Sequence, residues 1–170
     1  MTPPKVVIRR LTADDAEAYR TIRLAGLKEA PDVFSSTYEA EVARSPEHFK
    51  QRVIEFAVFG AFVDGRIVGM AGYLRETSPK EQHKGLLWGM YVAPDARRYR
   101  VGAGLVQAVL DHAAEEVEQV RLIVSHGNAA ALGLYERLGF IAYGHEPKAL
   151  KGPNGYSDDI LMVRFLGEPG

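Results

Sequence analysis

The stretch FAVFGAFVDGRIVGMAGYLRE, residues 56–76, consists of two apolar runs separated by Asp64-Gly65. Both runs are rich in β-branched and aromatic residues, which favours strands, and an Asp-Gly pair is typical of a two-residue hairpin turn. The stretch therefore predicts two adjacent antiparallel strands. The next apolar run, KGLLWGMYV at residues 84–92, predicts a third strand.

Helical and strand patterns flank this meander. Before it, the sequence predicts a strand at residues 5–10, a helix after Thr12, a loop from Pro31, and a second helix that begins at Ser45-Pro46. After it come a helix to about Glu118, the strand VRLIVS, a helix over residues 128–138, and two strands around the turn-rich segment PKALKGPNGYSD. The order β α α β β β α β α β β predicts an α/β fold of the mixed type, with helices on both faces of one sheet.

Composition excludes several classes of protein. A chain of 170 residues with 46% hydrophobic and 25% charged residues predicts one globular domain over residues 1–170. The net charge of −1 argues against nucleic-acid binding, and the absence of cysteine excludes disulfides and a cysteine nucleophile. The five histidines are scattered, so we expect no metal site. Because no segment resembles a signal peptide or a membrane helix, we expect a cytoplasmic protein without membrane attachment.

The segment YVAPDARRYRVGAGLVQAVLDHAAEE, residues 91–116, places arginines and glycines at the start of a predicted helix. A helix start offers unpaired N–H groups and a partial positive charge, so it favours anions such as phosphates. A dinucleotide-binding fingerprint would need a third glycine where Gln107 stands, and a Walker A loop would need Gly-Lys followed by Ser or Thr. Both familiar phosphate motifs are therefore disfavoured.

The segment resembles the acyl-CoA loop of the GNAT superfamily of N-acetyltransferases, which has Arg or Gln, two residues, Gly, one residue, then Gly or Ala. We place Arg97 at the first position, because the following helix then turns its apolar residues to the core. In this register Arg100 stands where the family has its first glycine. The resemblance implies that the loop binds the pyrophosphate of acetyl-CoA through Arg97, Arg98, Tyr99, Arg100, Val101, Gly102 and Ala103.

A second motif, NAAALGLYERLGF at residues 128–140, matches the family's Asn, Ala, Leu-Tyr-x-x-x-Gly-Phe pattern. The resemblance implies that Tyr135 protonates the departing thiolate, and that Asn128 caps the helix or bonds the pantetheine arm. It also implies that the backbone of Met90, Tyr91 and Val92 holds the pantetheine like an added strand. The implied fold is a mostly antiparallel mixed sheet of about seven strands with helices on both faces.

The implied activity is transfer of an acetyl group from acetyl-CoA to a primary amine by direct attack, without a covalent enzyme intermediate. The family fixes no general base by motif; Glu76, at the end of the third strand in chain order, is the first candidate, and His83, Asp158 and Asp159 follow it. The resemblance places the acceptor among residues 34–38, 76–84 and 146–156. A small-molecule amine is the first expectation, and a protein N-terminus or lysine is the second. A non-catalytic acyl-CoA-binding domain remains an alternative, and a homodimer through the C-terminal strands is a family-level expectation.

Overall fold

Seven strands form one sheet in the spatial order β1-β2-β3-β4-β5-β7-β6, in a computed structural model that describes residues 2–169. Neighbouring strands are antiparallel except β4 and β5, which are parallel. The strands are β1 Val6–Arg10, β2 Ala57–Val63, β3 Arg66–Arg75, β4 Lys84–Val92, β5 Gln119–Ser125, β6 Ile141–Gly152 and β7 Gly155–Phe165.

Residues 2–169 contain five α-helices: α1 Ala16–Glu29, α2 Tyr38–Val42, α3 Pro46–Glu55, α4 Val101–Ala113 and α5 Ala129–Arg137. Short 3₁₀ turns precede α1, follow α1 at Pro31–Val33, and precede α4 at Pro94–Tyr99. Within residues 2–169, no helix combines the length and apolarity that a membrane crossing requires.

Local sequence explains most of these boundaries. Asp64 and Gly65 both have positive φ, at 51° and 78°, which is the conformation that a type I′ hairpin turn requires. The Ser45 side chain accepts a hydrogen bond from the His48 backbone N–H and so caps α3. Gly139, with φ of 89°, lies just after α5 and stops the chain from continuing as a helix. The predicted hairpin, the α3 start and the glycine stop are therefore confirmed.

Two hydrophobic clusters lie on opposite faces of the sheet. α4 and α5 cover one face, where Val106, Val109 and Leu122 are almost completely buried. We call this the α4/α5 face. α1 and α3 cover the other, where Tyr19 and Phe49 are buried and their rings meet edge to face. We call this the α1 face. Helices on both faces confirm the predicted architecture.

Three predicted boundaries were wrong. The segment predicted as a loop from Pro31 contains α2, because Thr37 caps that helix and Glu41 anchors it to α1 by an ion pair. The turn-rich segment is mostly strand: positive φ at Lys148 and a register shift between Glu146 and Leu150 let the β6/β7 hairpin continue. α4 ends at Ala113, since the backbone N–H of Glu118 must reach the His83 carbonyl to begin β5.

Candidate functional site

β4 and β5 separate part of the way along their length. They pair only at Lys84–Gln119, Gly85–Val120 and Leu86–Arg121. Further along β4, Gly89 has φ of +64° and the register against β3 shifts, which marks a bulge that bends the strand. Within the described part of the chain, the β5-facing edge of β4 has no strand partner after Leu86. Unpaired backbone N–H and C=O groups there can bind a ligand as an added strand.

The gap opens into a cleft of about 1100 Å³. This volume slightly exceeds the usual range for small-ligand sites, about 300–1,000 Å³, and suits an extended ligand. Its wall includes most of the residues predicted from the sequence: Met90, Tyr91, Val92, Arg97, Arg98, Arg100, Gly102, Ala103, Asn128 and Tyr135. Tyr99 and Val101 are not part of this wall. Val101 is completely buried, and Tyr99 packs against the core of the α4/α5 face.

The start of α4 forms one end of the cleft. Val101, Leu105 and Val109 are buried on one face of the helix, as predicted from the chosen register. The N-cap residue is Arg100, whose left-handed conformation, φ 55° and ψ 28°, is the one that glycine adopts most readily. Gly102 faces the cleft, because a Cβ there would lie 3.0 Å from the Met90 methyl carbon and 3.2 Å from Leu134 Cδ2.

The three arginines of the loop differ in their contacts. Arg97 donates from Nη2 to Glu29 at 2.6 Å and from Nε to the Val92 carbonyl at 3.0 Å. Its guanidinium therefore ties the loop to the end of α1. Arg98 and Arg100 make no ion pair with any residue in the range 2–169. Together with the N-terminal end of the α4 dipole, they leave this end of the cleft positively charged.

Tyr135 and Asn128 lie on the α5 side of the cleft. The Tyr135 side chain is 5% exposed, and its ring contacts Phe140 edge to face with centroids 5.7 Å apart. Burial raises the pKa of the Tyr135 hydroxyl, so the group is protonated at neutral pH. Asn128 Oδ1 accepts a hydrogen bond from the Ala131 backbone N–H at 3.2 Å, so this side chain caps α5.

The four candidate bases occupy opposite ends of the β4/β5 pair. Glu76 accepts a hydrogen bond from Arg121 at 3.0 Å, and His83 precedes β4, so both lie at the paired end. Asp158 accepts from the Lys148 backbone N–H and lies 2.9 Å from His145 Nε2. None of these three lines the cleft, and Asp159 is not part of its wall either.

Asp159 lies at the open end of the gap. It is directly opposite Ser125 across β5 and β7, and Ser125 lines the cleft. The neighbouring pair Val124–Ile160 packs on the α4/α5 face, so Asp159 and Ser125 lie on the α1 face. Asp159 is 8% exposed, and burial, followed by the charges of Glu146 and Asp158, raises the pKa of its carboxyl group.

Several cleft residues were missed by the sequence analysis. They come from the end of α1 and its following turn, the middle of β4, the end of β5, and the inner face of α5. The spacing of Ala130, Ala131 and Leu134 on one face of α5 is a signal that could have indicated the last group. Of the predicted acceptor segments, residues 34–38 contribute Phe34, whereas 76–84 and 146–156 contribute none. Across residues 2–169, no three His, Asp or Glu side chains cluster closely enough to hold a metal ion.

Comparisons with known proteins agree on one family for this chain. The model of the Acetyltransferase (GNAT) family matches residues 25–140. An L-methionine sulfoximine/L-methionine sulfone acetyltransferase from Pseudomonas aeruginosa is 27% identical over 146 residues, which cover 75% of this chain and 84% of that protein. A second relative, a protein from Xenopus tropicalis named as the N-acetyltransferase camello, is 37% identical over 81 residues, covering 47% of this chain and 36% of that protein.

Solved structures share the fold. An acetyltransferase of the GNAT family from Streptococcus pneumoniae superposes with a TM-score of 0.83 at 19% identity, covering 96% of this chain and 100% of that one. A ribosomal-protein-alanine N-acetyltransferase from Brucella melitensis gives a TM-score of 0.77 at 23% identity, covering 94% and 99% of the two chains. At these identities the likeness concerns the fold, whereas the family match rests on sequence.

Proposed function

The chain belongs to the GNAT family of acetyltransferases, and on that basis we propose that it transfers the acetyl group of acetyl-CoA to a small-molecule primary amine. The family identifies an acetyl-transferring enzyme with acetyl-CoA as donor. The choice of a small molecule is ours. It is supported by the Pseudomonas relative, whose name gives amino-acid derivatives as acceptors.

The gap between β4 and β5 is the observation that carries this proposal. Its unpaired β4 edge suits the amide groups of a pantetheine arm, and its positive end at α4 suits a pyrophosphate. We assign phosphate binding to the N–H groups at residues 101–103 and to the side chains of Arg98 and Arg100. Arg97 has a different role in this scheme, because Glu29 already occupies its guanidinium.

Acetyl transfer needs a neutral amine, polarisation of the thioester carbonyl, and a proton for the departing sulfur. The amine nitrogen forms the new C–N bond, the C–S bond breaks, and the sulfur leaves as a thiolate. We assign its protonation to Tyr135, which is buried, protonated and in the cleft wall. The N–H groups of β4 after the Gly89 bulge would polarise the carbonyl.

We assign removal of the amine proton to Asp159. Its raised pKa makes the carboxylate a stronger base than an ordinary aspartate. Tyr135 packs on the α4/α5 face, whereas Asp159 lies on the α1 face at the same open end of the strands. Acid and base would thus flank the gap from opposite sides, with the amine entering from the α1 face.

The first experiment is isothermal titration with acetyl-CoA, with NAD as control, followed by a CoA-release assay over primary amines. Saturable binding of acetyl-CoA alone and amine-dependent CoA release are expected. Binding without turnover over the whole amine panel would instead indicate a non-catalytic acyl-CoA-binding domain. No binding of acetyl-CoA would refute the proposed site.

Tyr135→Phe tests the acid role. We expect kcat to fall more than about tenfold, since general acid catalysis contributes about 10²–10⁴-fold, with little change in acetyl-CoA affinity. Tyr143→Phe is the matched control, because Tyr143 is 52% exposed and lies outside the cleft. Unchanged turnover in Tyr135→Phe would remove the residue from the mechanism.

Asp159→Asn tests the base. We expect kcat/KM to fall at neutral pH and the inflection that belongs to this carboxyl group to disappear from the acidic limb of the pH profile, because only the deprotonated carboxylate accepts the proton. Glu76→Gln, at the paired end of the strands, is expected to retain the wild-type profile. A wild-type profile in Asp159→Asn would contradict the assignment.

A further inference from the structure

Arg23 is a buried arginine on α1 that uses only part of its hydrogen-bonding capacity. It is 7% exposed, and its Nε and Nη2 donate to the Glu41 carboxylate at 3.0 and 2.8 Å. Among residues 2–169, its Nη1 makes no hydrogen bond. Nη1 is not among the buried polar atoms that lack a partner, so it retains accessible surface, and a ligand carboxylate could form a charge-assisted hydrogen bond with it.

The free nitrogen lies beside Gly89, at the start of the unpaired part of β4, although Arg23 itself is not among the residues of the cleft wall. A Cβ built on Gly89 would lie 3.2 Å from Arg23 Nη1, and Gly89 is the bulge residue that lines the cleft. Since Glu41 holds the other two nitrogens in a bidentate arrangement, the direction of Nη1 is fixed. Arg23 thus presents an oriented donor beside the place where the β4 backbone is assigned to hold the thioester.

The charges around Arg23 leave this wall of the cleft positive. Glu41 also lies 3.5 Å from Arg52, so one carboxylate faces two guanidinium groups. Burial opposes ionisation of Glu41, but the two arginines hold its pKa below the usual value. Burial, together with Arg52 and Arg44, lowers the pKa of His48, so this imidazole adds no charge at neutral pH.

This surplus positive charge lies directly behind the cleft wall. The Arg23 guanidinium carbon is 5.0 Å from the Phe34 ring centre, and that of Arg52 is 5.7 Å from the Trp88 ring centre. Both rings line the cleft. Asp32 lines the cleft as well, but it is exposed, so water screens its charge.

We infer that Arg23 binds a carboxylate of the acceptor, and that the acceptor is a free α-amino acid. The inference rests on the proposed function, since it concerns the second substrate of the same site. The amine must reach the gap beside Gly89, and Arg23 Nη1 faces the same residue, so the anion must be only a few atoms from the amine. An α-amino acid meets this condition. A lysine side chain or a peptide N-terminus lacks the adjacent carboxylate, and a polyamine would meet like charge.

The test compares acceptors that differ only at the carboxylate. CoA release by the wild-type enzyme is measured with L-methionine, L-phenylalanine and L-arginine, each beside its carboxamide and its decarboxylated amine. We expect kcat/KM for the best amino acid to exceed that of its two analogues by about tenfold or more, because the analogues leave Nη1 unpaired. The carboxamide has the less basic amine, which favours its reaction, so amine basicity cannot explain an excess over the carboxamide, and this comparison is the decisive one.

Arg23→Gln tests whether Arg23 causes the preference for an acceptor with a carboxylate. Glutamine can still donate to Glu41, and Arg52 remains to balance the charge. We expect kcat/KM for the amino acid to fall, so that its ratio to the value for the carboxamide comes to within about threefold of unity. Arg20→Gln, one turn earlier on α1, is the matched control and should keep the wild-type ratio. Thermal unfolding of both variants checks that they are folded.

The outcomes separate this inference from the proposed function. Equal rates for amino acids and their analogues, or turnover only of peptides or polyamines, would overturn the carboxylate assignment while the enzyme remained an N-acetyltransferase. An unchanged ratio in a folded Arg23→Gln variant would also overturn it. If that variant does not fold, the wild-type acceptor series decides the question. Absence of CoA release with every amine would count against the proposed function itself.

Discussion

Replacing Gly102 with glutamate tests the anion site at the start of α4. The new side chain would enter the cleft, because a Cβ at this position lies 3.0 Å from the Met90 methyl carbon and 3.2 Å from Leu134 Cδ2. Both neighbours are the ends of flexible side chains, so they can move. The substitution therefore places a negative charge where the phosphates of acetyl-CoA are assigned.

The magnitudes predict a loss of binding that exceeds the loss of stability. Two unit charges about 5 Å apart at an effective dielectric constant of about 20 repel by about 3 kcal/mol, or roughly two orders of magnitude in affinity. Displacing the Met90 and Leu134 side chains costs about 1–3 kcal/mol. Removing a helical glycine recovers about 0.5 kcal/mol, and an acidic residue in the first turn of a helix adds about 0.3–1 kcal/mol. The fold should therefore persist.

Gly102→Gln is the matched control, since it has nearly the same size without the charge. Acetyl-CoA affinity is measured by isothermal titration at low and high salt, and unfolding free energy by chemical denaturation. We expect glutamate to bind much more weakly than glutamine, with a difference that shrinks as salt screens the repulsion. Equal affinities for the two variants would show that the anion does not bind at this helix start.

Three further predictions concern stability. Arg100→Gly should raise the unfolding free energy by about 0.5–1 kcal/mol. The left-handed conformation costs a residue with a side chain about 1–2 kcal/mol, and glycine's extra unfolded-state entropy offsets part of the gain. A lower unfolding free energy in chemical denaturation would show that Arg100 is not strained. Gly104→Ala should cost about 1 kcal/mol without weakening acetyl-CoA binding, since its Cβ would meet Ile8 rather than the cleft; weaker binding by titration would argue against this separation. Asp15→Asn should lower stability by about 1 kcal/mol at pH 7. Hydrogen bonds from Arg9 hold the pKa of Asp15 at about 2. The stability difference between wild type and variant should therefore be present above the unfolded-state pKa of about 3.9 and be lost as pH falls towards 2. Thermal unfolding measured across this pH range would contradict the prediction if the two stabilities did not converge.

Much of the fold could be predicted from the sequence because its signals are local. The Asp64-Gly65 turn, the Ser45 cap and the glycine after α5 act within a few residues, and each was identified correctly. The apolar spacing in α4 likewise indicated which face would be buried. The family match confirms the resemblance that the two motifs indicated. The errors fell on α2, the end of α4 and the long β6/β7 hairpin, where the fold depends on distant partners.

The sequence by itself determined the order of strands and helices, the phase of α4, and the two segments that carry the family resemblance. Tertiary structure decided how their charged groups are used. Arg97 meets Glu29 from 68 residues away, so it fixes the loop instead of remaining free. Asp159 reaches the open end of the gap only because β7 pairs with β5, and Arg23 faces Gly89 only because Glu41 holds it. A spacing pattern describes neighbours along one element, whereas these contacts depend on how separate elements are packed against each other.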